Sequence, residues 1–119
     1  MSRLERRLPF RMEEHFEDGD ELRLALIGEL DVAVVKQLSD RLSQLRRGGY
    51  TVRLDLARLD FIDSTGLREL IREIADSRRD GWRLELGDEL TDQVARVIEL
   101  VGAGTYFWPN GNGIGPNGA

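Results

Sequence analysis

The sequence contains no cysteine, and His15 is its only histidine. These two shortages exclude disulfides, thiolate zinc sites, cysteine nucleophiles and a Ser-His-Asp triad within the chain. No second histidine or cysteine is present to complete a metal site, so we interpret His15 as a solvated or structural side chain. The shortages remove most familiar enzyme classes, and we predict neither a metal nor a cofactor.

Long apolar runs are also missing. No stretch of 18 or more apolar residues occurs, and the charged start MSRLERR is not followed by the apolar segment of a secretory leader. The formal net charge is −5, and no basic stripe is interleaved with aromatic residues. We therefore expect a cytoplasmic protein that binds neither nucleic acid nor a membrane directly.

What the chain does contain is enough apolar material for one core. Its 119 residues are 40% hydrophobic and 33% charged, which is typical of a single globular domain with a heavily charged surface. We predict a short N-terminal extension over residues 1–7, one domain over residues 8–108, and a flexible tail rich in glycine, asparagine and proline over residues 109–119.

The first half of the chain shows two strand patterns and one helix pattern. Apolar residues alternate with polar ones at Leu8, Phe10 and Met12, and again at Leu22, Leu24 and Leu26. Turn residues separate the two runs, which predicts antiparallel strands. Pro9 cannot donate a ladder hydrogen bond, so the first strand is expected at a sheet edge. We predict that Asp31 caps the following helix and that Gly48-Gly49 ends it.

The second half alternates strand and helix. A strand pattern at Val52, Leu54 and Leu56 leads to a helix pattern at Leu67, Leu70, Ile71 and Ile74. A fourth strand runs from Trp82 to Leu86, and Thr91 is the expected cap of a helix that ends at Gly102. The aromatic run 106–108 either adds a last edge strand or packs on the sheet. The predicted fold is α/β, with a single mixed central sheet of four to five strands and three to four helices packed on it.

The strand-to-helix junction Asp63-Ser64-Thr65-Gly66 is the main candidate site. The first N–H groups of a helix lack intrahelical partners, so an exposed hydroxyl there can cap the helix or carry a phosphate. Position alone does not choose between these two roles. Glycine in the first turn costs about 1 kcal/mol relative to alanine. We interpret the missing Cβ of Gly66 as room for another molecule, in which case alanine there leaves the fold intact.

Three other features of the sequence bear on possible functional sites. Asp55, near the end of a strand, invites comparison with the phosphoacceptor of response-regulator receivers. Such a site also needs an acidic pair after the first strand and a late lysine, whereas Lys36 is the only lysine and lies on a helix. No GxxxxGK[ST] phosphate loop is present, which disfavours a nucleotide-binding enzyme. The charged 68–73 helix face is either a solvated surface or part of a docking surface.

Three motifs taken together resemble the STAS domain of bacterial anti-sigma factor antagonists. They are Gly28-Glu29-Leu30-Asp31 after a strand, Asp63-Ser64-Thr65-Gly66-Leu67 after the next, and Leu90-Thr91 opening a helix that ends at Gly102. The resemblance covers residues 8–108 and implies a STAS fold and a non-enzymatic role in partner switching. In that family the unphosphorylated protein binds an anti-sigma factor, which is also a serine kinase, and so releases the sigma factor. A serine phosphatase reverses the phosphorylation.

The resemblance also implies which residues act. It places phosphorylation on Ser64 and partner binding on Glu29, Asp31, Asp63, Ser64, Thr65, Gly66, Leu67 and Arg68. Arg68 departs from the family, because many members carry a second glycine at that position. Two alternatives stay open: a STAS scaffold or structural subunit of a stress-sensing or lipid-transport complex, and a small enzyme or nucleotide-binding protein.

Overall fold

The computed structural model describes residues 9–109. The predicted extension, Leu8 and all of the predicted tail except Pro109 lie outside these residues. Along the described chain the elements are β1 (Arg11–Phe16), β2 (Glu21–Leu30), α1 (Val35–Arg47), β3 (Thr51–Asp55), β4 (Leu59–Ile62), α2 (Ser64–Asp80), β5 (Leu84–Leu86), α3 (Asp92–Val101) and α4 (Gly104–Phe107). No helix among them is long and apolar enough to cross a membrane.

The five strands form one mixed sheet around β2. Strand β1 pairs antiparallel with β2, while β3 and β5 follow in parallel, giving the order β1-β2-β3-β5. β1 lies at an edge, as expected from Pro9 just before it. The four helices cover a core that includes Leu38 and Leu42 of α1, Leu70 and Ile74 of α2, and Val94 and Ile98 of α3. The predicted mixed α/β fold is confirmed.

Strand β4 was not expected, because the pattern predicts one strand leading directly to the Asp63 junction. The chain turns after β3 instead. The Asp55 Oδ1 atom accepts a hydrogen bond from the Ala57 N–H at 2.9 Å, and the Leu59 N–H donates to the Leu56 carbonyl at 3.0 Å. β2 pairs with β3 over its first half and with β4 from Gly28 to Leu30. β4 therefore continues along β2 and brings the junction to the end of that long strand.

Two predicted caps differ from the structure. Helix α1 begins after Val34, and Asp31 instead closes a turn upstream, where its Oδ1 atom accepts from the Ala33 N–H at 3.0 Å. Thr91 does occupy the position before α3, but its hydroxyl donates to the Leu59 carbonyl at 2.7 Å and does not cap the helix. In both cases the side chain bonds a group outside the helix.

The aromatic run after α3 is a helix and not an edge strand. Residues 104–107 form the short helix α4, and Phe107 and Trp108 are buried in the core. The Trp108 indole N–H donates to the Leu86 carbonyl at 2.8 Å, which fixes the run against β5. Of the two alternatives, packing on the sheet is the one observed, because burying large rings outweighs their preference for strands.

Candidate functional site

Ser64 is the first residue of α2, and its side chain is exposed. Asp63 is the N-cap residue: its Oδ1 atom accepts from the Gly66 N–H at 2.8 Å, and its carbonyl accepts from the Leu67 N–H at 2.9 Å. Among the described residues, neither the Ser64 nor the Thr65 hydroxyl takes part in a hydrogen bond. Because Asp63 caps the helix, the Ser64 hydroxyl is available for other chemistry.

The junction is held against the end of β2 by its backbone and by Gly66. The Asp63 N–H donates to the Leu30 carbonyl at 3.2 Å. Gly66 is buried without a positive φ, and a Cβ added there would lie 2.5 Å from the same Leu30 oxygen and 3.0 Å from Ile62 Cγ1. The interpretation of Gly66 as room for another molecule is therefore wrong. The missing Cβ lets the chain pack closely on itself.

Helix α3 holds the junction from the other side of β4. The Gln93 amide oxygen accepts from the Ile62 N–H at 2.9 Å, and its NH₂ group donates to the Ile62 carbonyl at 3.2 Å. Thr91 bonds the Leu59 carbonyl in the same way, so two side chains satisfy backbone groups that a neighbouring strand would otherwise pair. The role of Gln93 was not predicted from the sequence. Its only signal is the Thr91-Asp92-Gln93 spacing, which has no meaning until β4 is recognised.

The first motif supports the junction through backbone geometry. Gly28 has φ +93°, and a Cβ there would lie 2.0 Å from the Pro9 carbonyl oxygen. The turn that follows β2 carries Val32, which is 67% exposed, and the exposed Ala33. Since Leu30 is bonded to Asp63, this turn lies beside Ser64. We define the Ser64 patch as Val32, Ala33, Ser64 and Arg68.

The predicted partner-binding residues differ in exposure. Ser64 and Arg68 are exposed, and the side chains of Glu29, Asp63 and Thr65 are half-buried, whereas Asp31, Gly66 and Leu67 are buried. A buried residue cannot present its side chain to a partner. The last three make contacts inside the domain: Asp31 closes the turn after β2, and Gly66 and Leu67 pack in the first turn of α2.

Two carboxyl groups lie further along α2, on Glu69 and Glu73. The Glu69 and Glu73 side chains are only 11% and 13% exposed, and Arg72 contacts both, at 2.6 and 3.4 Å. Burial, together with a hydrogen bond and the negative charge from Glu69, raises the pKa of Glu73 to about 7, although Arg72 and Ser39 oppose the rise. Glu73 therefore keeps its proton to a higher pH than an ordinary glutamate does.

The other candidate residues have structural surroundings. Asp55 pairs with Arg23, with 2.9 Å between the guanidinium nitrogen and the carboxylate oxygen, and also bonds Ala57. His15 is partly exposed on β1, and its Nε2 atom lies 3.6 Å from Glu13 Oε1. Within residues 9–109, no group of three or more His, Asp or Glu is placed to hold a metal ion. The junction at Ser64 is thus the site with the clearest accessible chemistry.

Comparisons with known proteins agree with this fold. A family model described as "Mlab, STAS domain" matches residues 16–108. The anti-sigma-B factor antagonist of Bacillus subtilis (strain 168) is 24% identical over 86 residues, which are 72% of this chain and 78% of that protein. The unphosphorylated anti-sigma factor antagonist SpoIIAA superposes with a TM-score of 0.66 at 20% identity, covering 81% of this chain and 84% of its own. A STAS-domain anti-sigma factor antagonist from Rhodobacter sphaeroides gives a TM-score of 0.57 at 20% identity, covering 71% of this chain and 94% of its own.

Proposed function

This chain belongs to the STAS domain family, and we propose that it is an anti-sigma factor antagonist that works by partner switching. In its unphosphorylated form it binds an anti-sigma factor, which is also a serine kinase, and so releases a sigma factor. Phosphorylation of Ser64 blocks this binding, and a serine phosphatase restores it. The role is one of binding and not of catalysis, and we propose a cytoplasmic setting.

The observation that carries the proposal is the exposed Ser64 hydroxyl beside an aspartate that already caps the helix. A kinase needs a hydroxyl that is exposed to its active site and that no structural hydrogen bond holds in place. Ser64 meets that requirement, whereas Thr65 is half-buried. Ser64 is therefore the acceptor we propose.

The helix start also suits the product of the reaction. A phosphoserine adds about −1.5 to −2 charge at pH 7, and the N-terminus of a helix carries partial positive charge. The attraction offsets repulsion from Asp63, so the phosphorylated protein stays folded. The change is confined to the surface that a partner meets.

The Ser64 patch supplies the surroundings that a protein partner needs. Val32 and Ala33 offer exposed apolar contact, while Arg68 offers a positive charge one helical turn from the hydroxyl. A partner packed against this patch buries Ser64. A phosphate on Ser64 therefore places a negative charge in the interface and collides with the partner. Loss of a few kcal/mol weakens binding by about a hundredfold or more.

The test is phosphorylation in vitro by serine kinases that also bind sigma factors. We would incubate the unmodified protein, Ser64→Ala and Thr65→Ala with each kinase and ATP, and map the phosphate by mass spectrometry. We expect labelling on Ser64 alone, and Ser64→Ala should stay bound to its kinase. Labelling that survives in Ser64→Ala but disappears in Thr65→Ala would refute the assignment. A scaffold subunit, the alternative for this fold, would bind its partner without labelling.

A further inference from the structure

Arg68 differs from the other arginines of α2. Arg72 contacts three acidic side chains, Arg79 contacts two, and Arg78 donates to a backbone carbonyl. Arg68 is exposed, and within residues 9–109 it makes no ion pair and no hydrogen bond. A cation without a partner therefore lies one helical turn from the Ser64 hydroxyl.

The helix surface gives Arg68 no acidic neighbour. Residues three and four positions apart face each other on a helix, with about 5 to 6 Å between their Cβ atoms. The positions at that spacing from Arg68 hold Ser64, Thr65, Ile71 and Arg72. Helical side chains lean towards the N-terminus, and an anion four residues before a cation is the favourable arrangement. Only position 64 can supply that anion, and only after modification.

We propose that Arg68 is the intramolecular ligand of a phosphate on Ser64. The inference rests on the phosphorylation proposed above. The guanidinium donates two parallel N–H groups to phosphate oxygens, a geometry that arginine provides and lysine does not. The first-turn N–H groups that Asp63 does not cap lie at the same end of α2 and favour a negative charge there. Together they compensate for the Asp63 carboxylate next to it.

The ion pair changes what a partner encounters. Before modification the Ser64 patch presents a neutral hydroxyl and an available cation. After modification Arg68 is engaged by the phosphate, and the patch becomes negative. A partner that places a carboxylate against Arg68 loses that contact and meets an anion in the same step. One modification thereby removes an attraction and adds a repulsion.

The test needs no kinase. Phosphoserine is installed at position 64 of the full 119-residue chain during translation, and the phosphate is titrated by ³¹P NMR. The variants are the parent, Arg68→Gln, Arg68→Lys and the control Arg47→Gln. Arg47 is exposed, and its neighbour Arg46 pairs with Asp80 at the far end of α2, so Arg47 lies far from Ser64.

We expect the pKa of the phosphate to lie lower in the parent than in Arg68→Gln by roughly 0.3 pH units, since an ion pair at this spacing favours the dianion. Arg68→Lys should fall between them, Arg47→Gln should match the parent, and high salt should shrink the difference. Equal pKa values in the parent and Arg68→Gln, or an equal rise in Arg47→Gln, would overturn the inference. Because the phosphate is installed directly, a kinase that fails to label Ser64 would refute the proposed function and leave this result standing.

Discussion

Gly66, in the first turn of α2, lies against the carbonyl oxygen of Leu30, the last residue of β2. A Cβ at position 66 would come within 2.5 Å of that oxygen. The contact fixes how closely the helix start packs on the strand, and it sets the position of Ser64 two residues earlier. The glycine of this junction is therefore a packing residue of the domain itself.

Gly66→Ala should destabilise the protein. The gain in helix propensity is about 1 kcal/mol, whereas forcing a methyl group against fixed backbone typically costs 1 to 3 kcal/mol. Urea unfolding followed by circular dichroism measures the difference. The matched control is Gly104→Ala, where nothing lies within 4 Å of the added Cβ and φ is not positive. A Gly66→Ala protein as stable as the parent would show that the contact is not restrictive.

Gln93→Leu should destabilise the protein and loosen the junction. The variant keeps the side-chain size but leaves the N–H and carbonyl of the buried Ile62 without partners, at about 1 to 3 kcal/mol for each. Hydrogen exchange of the Ile62 amide should become faster. Gln37→Leu, on the exposed surface of α1, is the control and should change neither quantity. Unchanged exchange at Ile62 would contradict the role assigned to Gln93.

The Glu69–Glu73 pair should make stability depend on pH. Burial and Glu69 raise the pKa of Glu73 to about 7 in the folded protein, above its ordinary value of 4.5. The folded state then holds more protons between these two pH values, so the free energy of unfolding falls as pH rises through that window. The contribution of protonated Glu73 to the stability of the folded state is fully present below pH 4.5 and is lost above pH 7.

Glu73→Gln removes the titrating carboxyl group. The difference in unfolding free energy between the parent and Glu73→Gln should change by a few kcal/mol across the window, with the variant gaining relative stability as pH rises. Chemical unfolding at pH 4.5, 6 and 8 measures it, and Glu99→Gln, on the exposed surface of α3, is the control. A difference that does not vary with pH would mean that Glu73 titrates at its ordinary pKa.

Val32→Asp should weaken partner binding without changing stability. Val32 is 67% exposed, so it contributes little to the core. A carboxylate beside Ser64 repels the partner in the same place as a phosphate. Leu100→Asp is the control, because Leu100 is 77% exposed on α3 outside the Ser64 patch. If Leu100→Asp weakens binding as much as Val32→Asp, the docking surface is not the Ser64 patch.

Local signals in the sequence were sufficient for most of the strands and helices and for the strand-to-helix junction at Asp63. The alternation before Asp63 and the helical period after it locate the junction, and Pro9 locates the edge strand, because each depends only on residues close in sequence. β4 was not predicted because it has only four residues and follows β3 directly after a turn, which the Asp55 side chain stabilises. Its two buried residues, Leu59 and Ile62, do not show the alternation of a half-buried strand.

The contacts that shape the site could not be predicted, because they join distant parts of the chain. Gln93 reaches Ile62 across 31 residues, and the fit of Gly66 depends on where β2 ends. Neither a glutamine nor a glycine in the sequence indicates such a role by itself. The cap at Asp31 failed for a related reason, since an aspartate can bond either a turn or a helix N–H, and the choice depends on where the helix begins.

The central claim is that phosphorylation of Ser64 changes partner binding while the fold stays intact. The most direct measurement compares the unmodified protein with the Ser64-phosphorylated protein, in affinity for the anti-sigma factor kinase with ADP present and in thermal melting, at two salt concentrations. We predict affinity weakened by about a hundredfold or more and a nearly unchanged melting temperature, since the helix end stabilises the phosphate by roughly 0.3 to 1 kcal/mol. Equal affinities, or a fall in melting temperature large enough to account for the lost binding, would contradict the account.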